Sequence, residues 1–127
     1  MKIVNSKVHG VIDYAAVCLL WILPLTISRN EAVCLLSIIL GCIHLVLTIF
    51  TKFPLGLKGI IPFKTHSHIE LAVSIILVST PVFIGSLIPI ESPVDRYYFG
   101  GFGLVVFGVW LVTDYTISVE RAETGNP

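Results

Sequence analysis

Four long apolar runs, roughly 8–27, 31–51, 67–88 and 97–117, constrain this chain more than anything else in it. Each is close to the ~20 residues that an α-helix needs to cross ~30 Å of hydrocarbon. None alternates as a half-buried strand does, and each is too long for a buried one. Only 13% of the residues are Asp, Glu, Lys or Arg, and mean hydropathy is +0.94. A soluble domain of 127 residues exposes too much of itself to hide that much apolar surface. Inside a bilayer no water serves the backbone, so each run must satisfy its own hydrogen bonds as a helix. The expected fold is all-α: one membrane domain, 1–127, with four transmembrane helices in a lipid bilayer.

Charge sets the expected orientation. Eight basic and eight acidic residues cancel, which leaves no long-range attraction for nucleic acid. Lys2, Lys7, Lys52, Lys58, Lys64 and Arg121 flank the runs on one side, against Arg29 and Arg96 on the other. Six against two predicts cytoplasmic N- and C-termini, the latter in a short tail at 118–127. The basic start before an apolar run also imitates a secretory signal, but no small-residue cleavage site follows it. Cys18, Cys34 and Cys42 lie inside apolar runs and read as small buried hydrophobes, not as disulfides or metal ligands.

The first run recurs. Residues 7–27 placed over 64–84, an offset of 66 − 9 = 57, match at Lys7/Lys64, His9/His66, Ile12/Ile69, Ala15/Ala72, Leu20/Leu77, Pro24/Pro81 and Ile27/Ile84. Asp13 falls over Glu70. Apolar matches are cheap between membrane helices, whereas a shared Lys-x-His-x-x-x-acid register with a proline eleven residues later is not. The second and fourth runs align weakly, with Gly41 over Gly103 and Thr51-Lys52-Phe53 over Thr113-Asp114-Tyr115. Two tandem two-helix units, about 7–53 and 64–117, are expected. An even number of crossings per unit makes their symmetry a pseudo-twofold along the membrane normal.

This pattern resembles the SPW-repeat membrane proteins. The resemblance rests on the tandem units, on Pro24 and Pro81 near the outer end of each first helix, and on the start His9-Gly10-Val11-Ile12-Asp13-Tyr14. Where that family carries Ser-Pro-Trp, this chain reads Leu23-Pro24-Leu25 and Thr80-Pro81-Val82. The resemblance implies a four-helix protein of the bacterial inner membrane and no settled activity, which fits a structural or accessory role.

The residues that could carry chemistry are His9, Asp13, His66 and Glu70. Spacing i, i+4 stacks each histidine with its acid on one helix face. Asp13 lies about 9 Å along the axis from Lys7, where an ionised carboxylate needs a partner or a polar cavity. The plain reading is that each histidine bonds its own acid, and that Ser67 and Glu70 form a capping box. The sharper readings are a metal or haem site for a redox protein, with His44 as an added partner, or a small proton- or ion-conducting unit. His68 reads as an interfacial loop residue. Trp21, Tyr97 and Tyr98 read as interface belts and Trp110 as core. Gly100, Gly101, Gly103 and Gly108 read as a smooth face for close packing, within the bundle or in a homo-oligomer. No pattern for nucleophilic catalysis or phosphate binding is present.

Overall fold

The computed structural model describes residues 2–116; the end of the fourth expected segment at Ile117, the tail 118–127 and Arg121 lie outside the described residues. Among the described residues there are four helices: α1 (Ser6–Ile27), α2 (Glu31–Phe50), α3 (Phe63–Leu87) and α4 (Pro93–Val112). The connector between α2 and α3 carries two short paired segments, β1 (Thr51–Lys52) and β2 (Ile61–Pro62). Asn5, Asn30 and Ser92 cap α1, α2 and α4 by accepting bonds from the first free backbone N–H groups.

Helices α1, α2 and α3 are long and apolar enough to cross a membrane. Helix α4 falls short by composition, because Asp95 and Arg96 sit in its first turns and four glycines dilute the rest. The side chains are distributed inside out. Leu19, Ile22, Leu36, Ile43, Ile75, Val82 and Leu104 face outward, while Ser37, Thr48, Thr51, Ser74 and Thr113 are wholly buried. That is the arrangement expected where the solvent is lipid and each polar group must find its partner inside.

Cys18 and Cys42 share the outward faces and Cys34 is half-buried, which corrects their reading as buried hydrophobes. An apolar thiol suits a lipid-facing position as well as a core. Tyr98 is buried and its hydroxyl meets Ser37 Oγ at 2.8 Å, while Trp21 donates to the Ile38 carbonyl. Both therefore join helices instead of standing in an interface belt. Tyr97 is exposed. Trp110 is half-buried near the α2–α3 connector, donating to Ser67 Oγ with the Lys2 ammonium over its ring.

Both prolines sit within helices, and each removes the N–H that would have bonded the carbonyl four residues earlier. Those carbonyls, on Leu20 and Leu77, are answered by hydroxyls: Ser37 donates to the first and Thr80 to the second, each at 2.7 Å. Helix α3 begins four residues earlier than the sequence pattern suggests, because Pro62 starts it without a side-chain cap. Ser67 and His68 consequently lie in its second turn, His68 on the exposed face and not in a loop. No capping box forms there.

The chain ends and loops gather at two poles. At one, Val4 pairs with Thr113 and Thr51 pairs with Ile61. At the other, Ser28 Oγ donates to the buried Asp95 carboxylate, and Asn30 Nδ2 donates to the Pro89 carbonyl. Helix α4 begins at the second pole and ends at the first.

Close helix contact depends on particular glycines. A Cβ on Gly103 would lie 2.7 Å from both Leu77 Cβ and the Val78 backbone nitrogen, whereas one on Gly101 would meet nothing within 4 Å. Gly103→Ala is expected to destabilise the detergent-solubilised protein by about 1–3 kcal/mol, since backbone cannot yield. Gly101→Ala should be neutral or raise stability by up to about 1 kcal/mol through helix propensity. Thermal melts of the two variants side by side check the assignment.

Candidate metal centre

The first turns of α1 and α3 bring His9, Asp13, His66 and Glu70 together at the connector pole, and α2 adds His44. His9 and His66 are fully buried, with Asp13 at 2% and Glu70 at 4% exposure. His9 Nε2 lies 3.3 Å from Asp13 Oδ1 and 3.6 Å from Glu70 Oε2. His66 Nε2 lies 3.5 Å from Asp13 Oδ2, and His44 Nε2 lies 3.5 Å from Asp13 Oδ1. The expected pairing of each histidine with its own acid holds for His9 alone. The contacts His9–Glu70 and His66–Asp13 cross between α1 and α3, because the faces carrying the two His-acid pairs point at each other, and His44–Asp13 joins α2 to α1.

Donor counting fixes the proton positions. Thr113 Oγ1 spends its one hydrogen on the Val109 carbonyl at 2.7 Å, and Thr51 Oγ1 spends its own on the Leu47 carbonyl at 2.6 Å. Each threonine oxygen can then only accept. His9 Nδ1–H donates to Thr113 at 3.0 Å and His66 Nδ1–H to Thr51 at 2.7 Å. In the neutral imidazoles both Nε2 atoms are left as lone pairs, each within 3.6 Å of a carboxylate oxygen. His9 Nε2, His66 Nε2 and Asp13 Oδ2 are buried without a hydrogen-bond partner among the described residues. Acceptors facing acceptors in a dry interior repel, and each unmet group costs on the order of 1–3 kcal/mol. Protons or a cation must stand between them.

The spacing favours a cation. Ligand atoms at 2.0–2.2 Å from a tetrahedral ion stand about 3.3–3.6 Å apart. The four contacts above fall in that range. His9, His66 and Glu70 each present an atom within 4.8 Å of the other two. Haem fits less well: the cavity touching His44 and Glu70 holds about 50 Å³, against several hundred for sites that enclose a ligand even of drug size. Beyond the cluster, Val17 and Ser74 are buried in the next turns of α1 and α3, and Leu20 and Leu77 in the turns after those.

The cluster is closed at its pole by aromatic rings. Phe53 stacks on Phe63 with centroids 5.7 Å apart, Phe63 packs on Tyr115 at 4.7 Å, and His9 meets the edge of both Phe63 and Tyr115. Tyr115 donates its hydroxyl to Glu70 Oε2. Burial and the adjoining carboxylate push the Tyr115 phenol well above its ordinary range, so it remains a donor at any working pH.

All five sequence-derived candidates therefore meet at one place, while Pro24 and Pro81 lie towards the far pole. Thr51, Thr113, Tyr115 and the phenylalanines were not among the candidates. The alignment of Thr51-Lys52-Phe53 with Thr113-Asp114-Tyr115 was their signal, a polar-x-aromatic pair repeated where each second helix ends. No known protein family, curated protein or solved structure matches the chain.

Tyr115→Phe keeps the ring and removes only the donor, as Phe53 already does at the aligned position. It is expected to cost about 1–3 kcal/mol in a denaturation measurement, because Glu70 loses its only hydrogen-bond donor among the described residues. Unchanged stability would mean that Glu70 has solvent access.

Proposed function

We propose that this protein binds a divalent transition metal ion within the membrane, held by His9, His66, Asp13 and Glu70 with His44 beside them. The observation that carries the reading is the set of three buried acceptor atoms, unpartnered among the described residues and each within 3.6 Å of another acceptor, with imidazole tautomers set by Thr51 and Thr113. Metal-ligating histidines typically have their second nitrogen held in this way. A set of imidazoles and carboxylates without thiolates suits Zn²⁺, Fe²⁺ or Mn²⁺ better than Cu⁺. A purely structural role explains the burial but has to place protons on the carboxyls to relieve the opposed lone pairs.

The test is direct. Protein purified in detergent and supplied with Zn²⁺ or Fe²⁺ should carry one ion per chain by elemental analysis and melt at a higher temperature by mass action. His9→Ala and His66→Ala should lose both effects. Thr51→Val should weaken the metal about 10–100-fold, as second-sphere changes do, with Thr51→Ser restoring it. Wild-type protein that binds no ion, and melts alike with and without metal, would sink the proposal.

The same reading includes four crossings and a tandem repeat, in kinship with the SPW-repeat proteins. Three helices are long and apolar enough to span, and α4 runs between the same two poles, which supports a fourth crossing. The contacts recur at constant offsets: Val4–Thr113 with Ile61–Thr51, His9–Thr113 with His66–Thr51, and Gly41 on Leu20 with Gly103 on Leu77. First-helix partners differ by 57 (66 − 9) and second-helix partners by 62 (113 − 51). In the first two of these, the first unit touches the second just as the second touches the first, which supports a twofold rotation between them. Lysines concentrated at the connector pole support a cytoplasmic location for it, in a bacterial inner membrane. With the three native cysteines replaced by alanine, Glu91→Cys should react with an impermeant thiol reagent added outside and Leu57→Cys should not. The opposite labelling would invert the orientation.

A further inference from the structure

Two apolar cavities lie end to end between α2 and α3, sharing Leu40 and Leu77. The larger, about 200 Å³, is lined towards the far pole by Leu36, Phe83 and Leu87. The smaller, about 50 Å³, ends on His44 and Glu70, the only ionisable groups along the whole groove. His44 is 16% exposed, whereas the His9 and His66 side chains are not exposed at all. Aromatic rings close the cluster at the connector pole, so this groove is the way to it, and it opens on the lipid side.

The shape selects an occupant. The outer section exceeds the ~150 Å³ cavity that accommodates a benzene ring, and the inner section is far below it. A ring cannot reach His44, but a small head on a flexible chain can. A phospholipid is excluded, since its bulky head stays at the interface while His44 lies about 12 Å along α2 from Lys52. An anionic head is disfavoured, because Asp13 and Glu70 already balance a divalent ion there. We infer that the groove binds a single-chain amphiphile with a small neutral oxygen head, a long-chain alcohol or aldehyde, whose oxygen meets His44 and the metal beside Glu70. The inference rests on the metal reading for the anchor of the head.

The experiment uses full-length protein in phosphatidylcholine nanodiscs, loaded with Co²⁺ and irradiated with hexadecanol carrying a mid-chain diazirine. Labelling is expected on Leu36, Leu40 and Phe83, with a change in the cobalt visible spectrum on addition of the alcohol. Unlabelled hexadecanol in about tenfold excess should suppress the labelling by mass action, and palmitate should not. Val106→Phe, which fills the inner section and replaces none of the proposed ligands, should keep its cobalt and lose the spectral change. Full cobalt content with labelling spread evenly over outward residues such as Val11 and Leu19, or equal competition by palmitate, overturns the inference alone. Labelling confined to the groove with no cobalt bound overturns the metal reading and leaves an alcohol site standing on His44 and Glu70.

Discussion

A polar group below the lipid interface has to be answered by another group of the same protein, and that constraint organises this fold. Water is absent, so an unmet donor or acceptor cannot be rescued by a small local movement. The chain answers its ordinary polar groups locally. Proline-freed carbonyls take hydroxyls from Ser37 and Thr80, and helix starts take side-chain caps from Asn5, Asn30 and Ser92. The exception is His9 Nε2, His66 Nε2 and Asp13 Oδ2, which no group among the described residues answers. Protons or the proposed cation would remove that defect.

How much of this was legible in the sequence follows from what each signal measures. Apolar runs report solvent, so the helices and the membrane could be read directly. Spacing i, i+4 reports a shared helix face, so His9 with Asp13 and His66 with Glu70 could be found as pairs. It does not report which helix lies opposite, and the crossed contacts of His66 with Asp13 and His9 with Glu70 were out of reach. Helix starts were blurred because proline and charged residues can belong to a loop or to a first turn. Pro62 and Pro93 both proved to stand at the threshold of a helix. The capping box at Ser67 failed for that reason, since the helix had already begun.

The threonines illustrate a different limit. Thr51 and Thr113 were visible as an alignment, yet their role depends on a proton count that needs both neighbours. Each hydroxyl is committed to a carbonyl one turn back in its own helix, and only then does it orient an imidazole from the other unit. A valine would pack equally well at either position and would leave the histidine free to hold its proton on Nε2, facing the carboxylates. The hydroxyl thus converts a packing position into control of ligand chemistry.

If the two halves are repeats, as proposed, they place the same elements around the cluster and, besides Asp13 against Glu70, depart from one another at two of its partners. Glu70 receives a phenol from Tyr115, where the first unit has Phe53; Asp13 receives an imidazole from His44, where the second unit has Val106. A strictly repeated sequence would surround the centre equally on both sides and seal it. Here a valine stands opposite a histidine at the depth where the groove arrives, and both line it. On the proposed repeat, the shared register supplies the convergent pairs and the departure from it leaves one flank of the cluster open. That asymmetry would turn a closed structural knot into a centre that something arriving from the bilayer can reach.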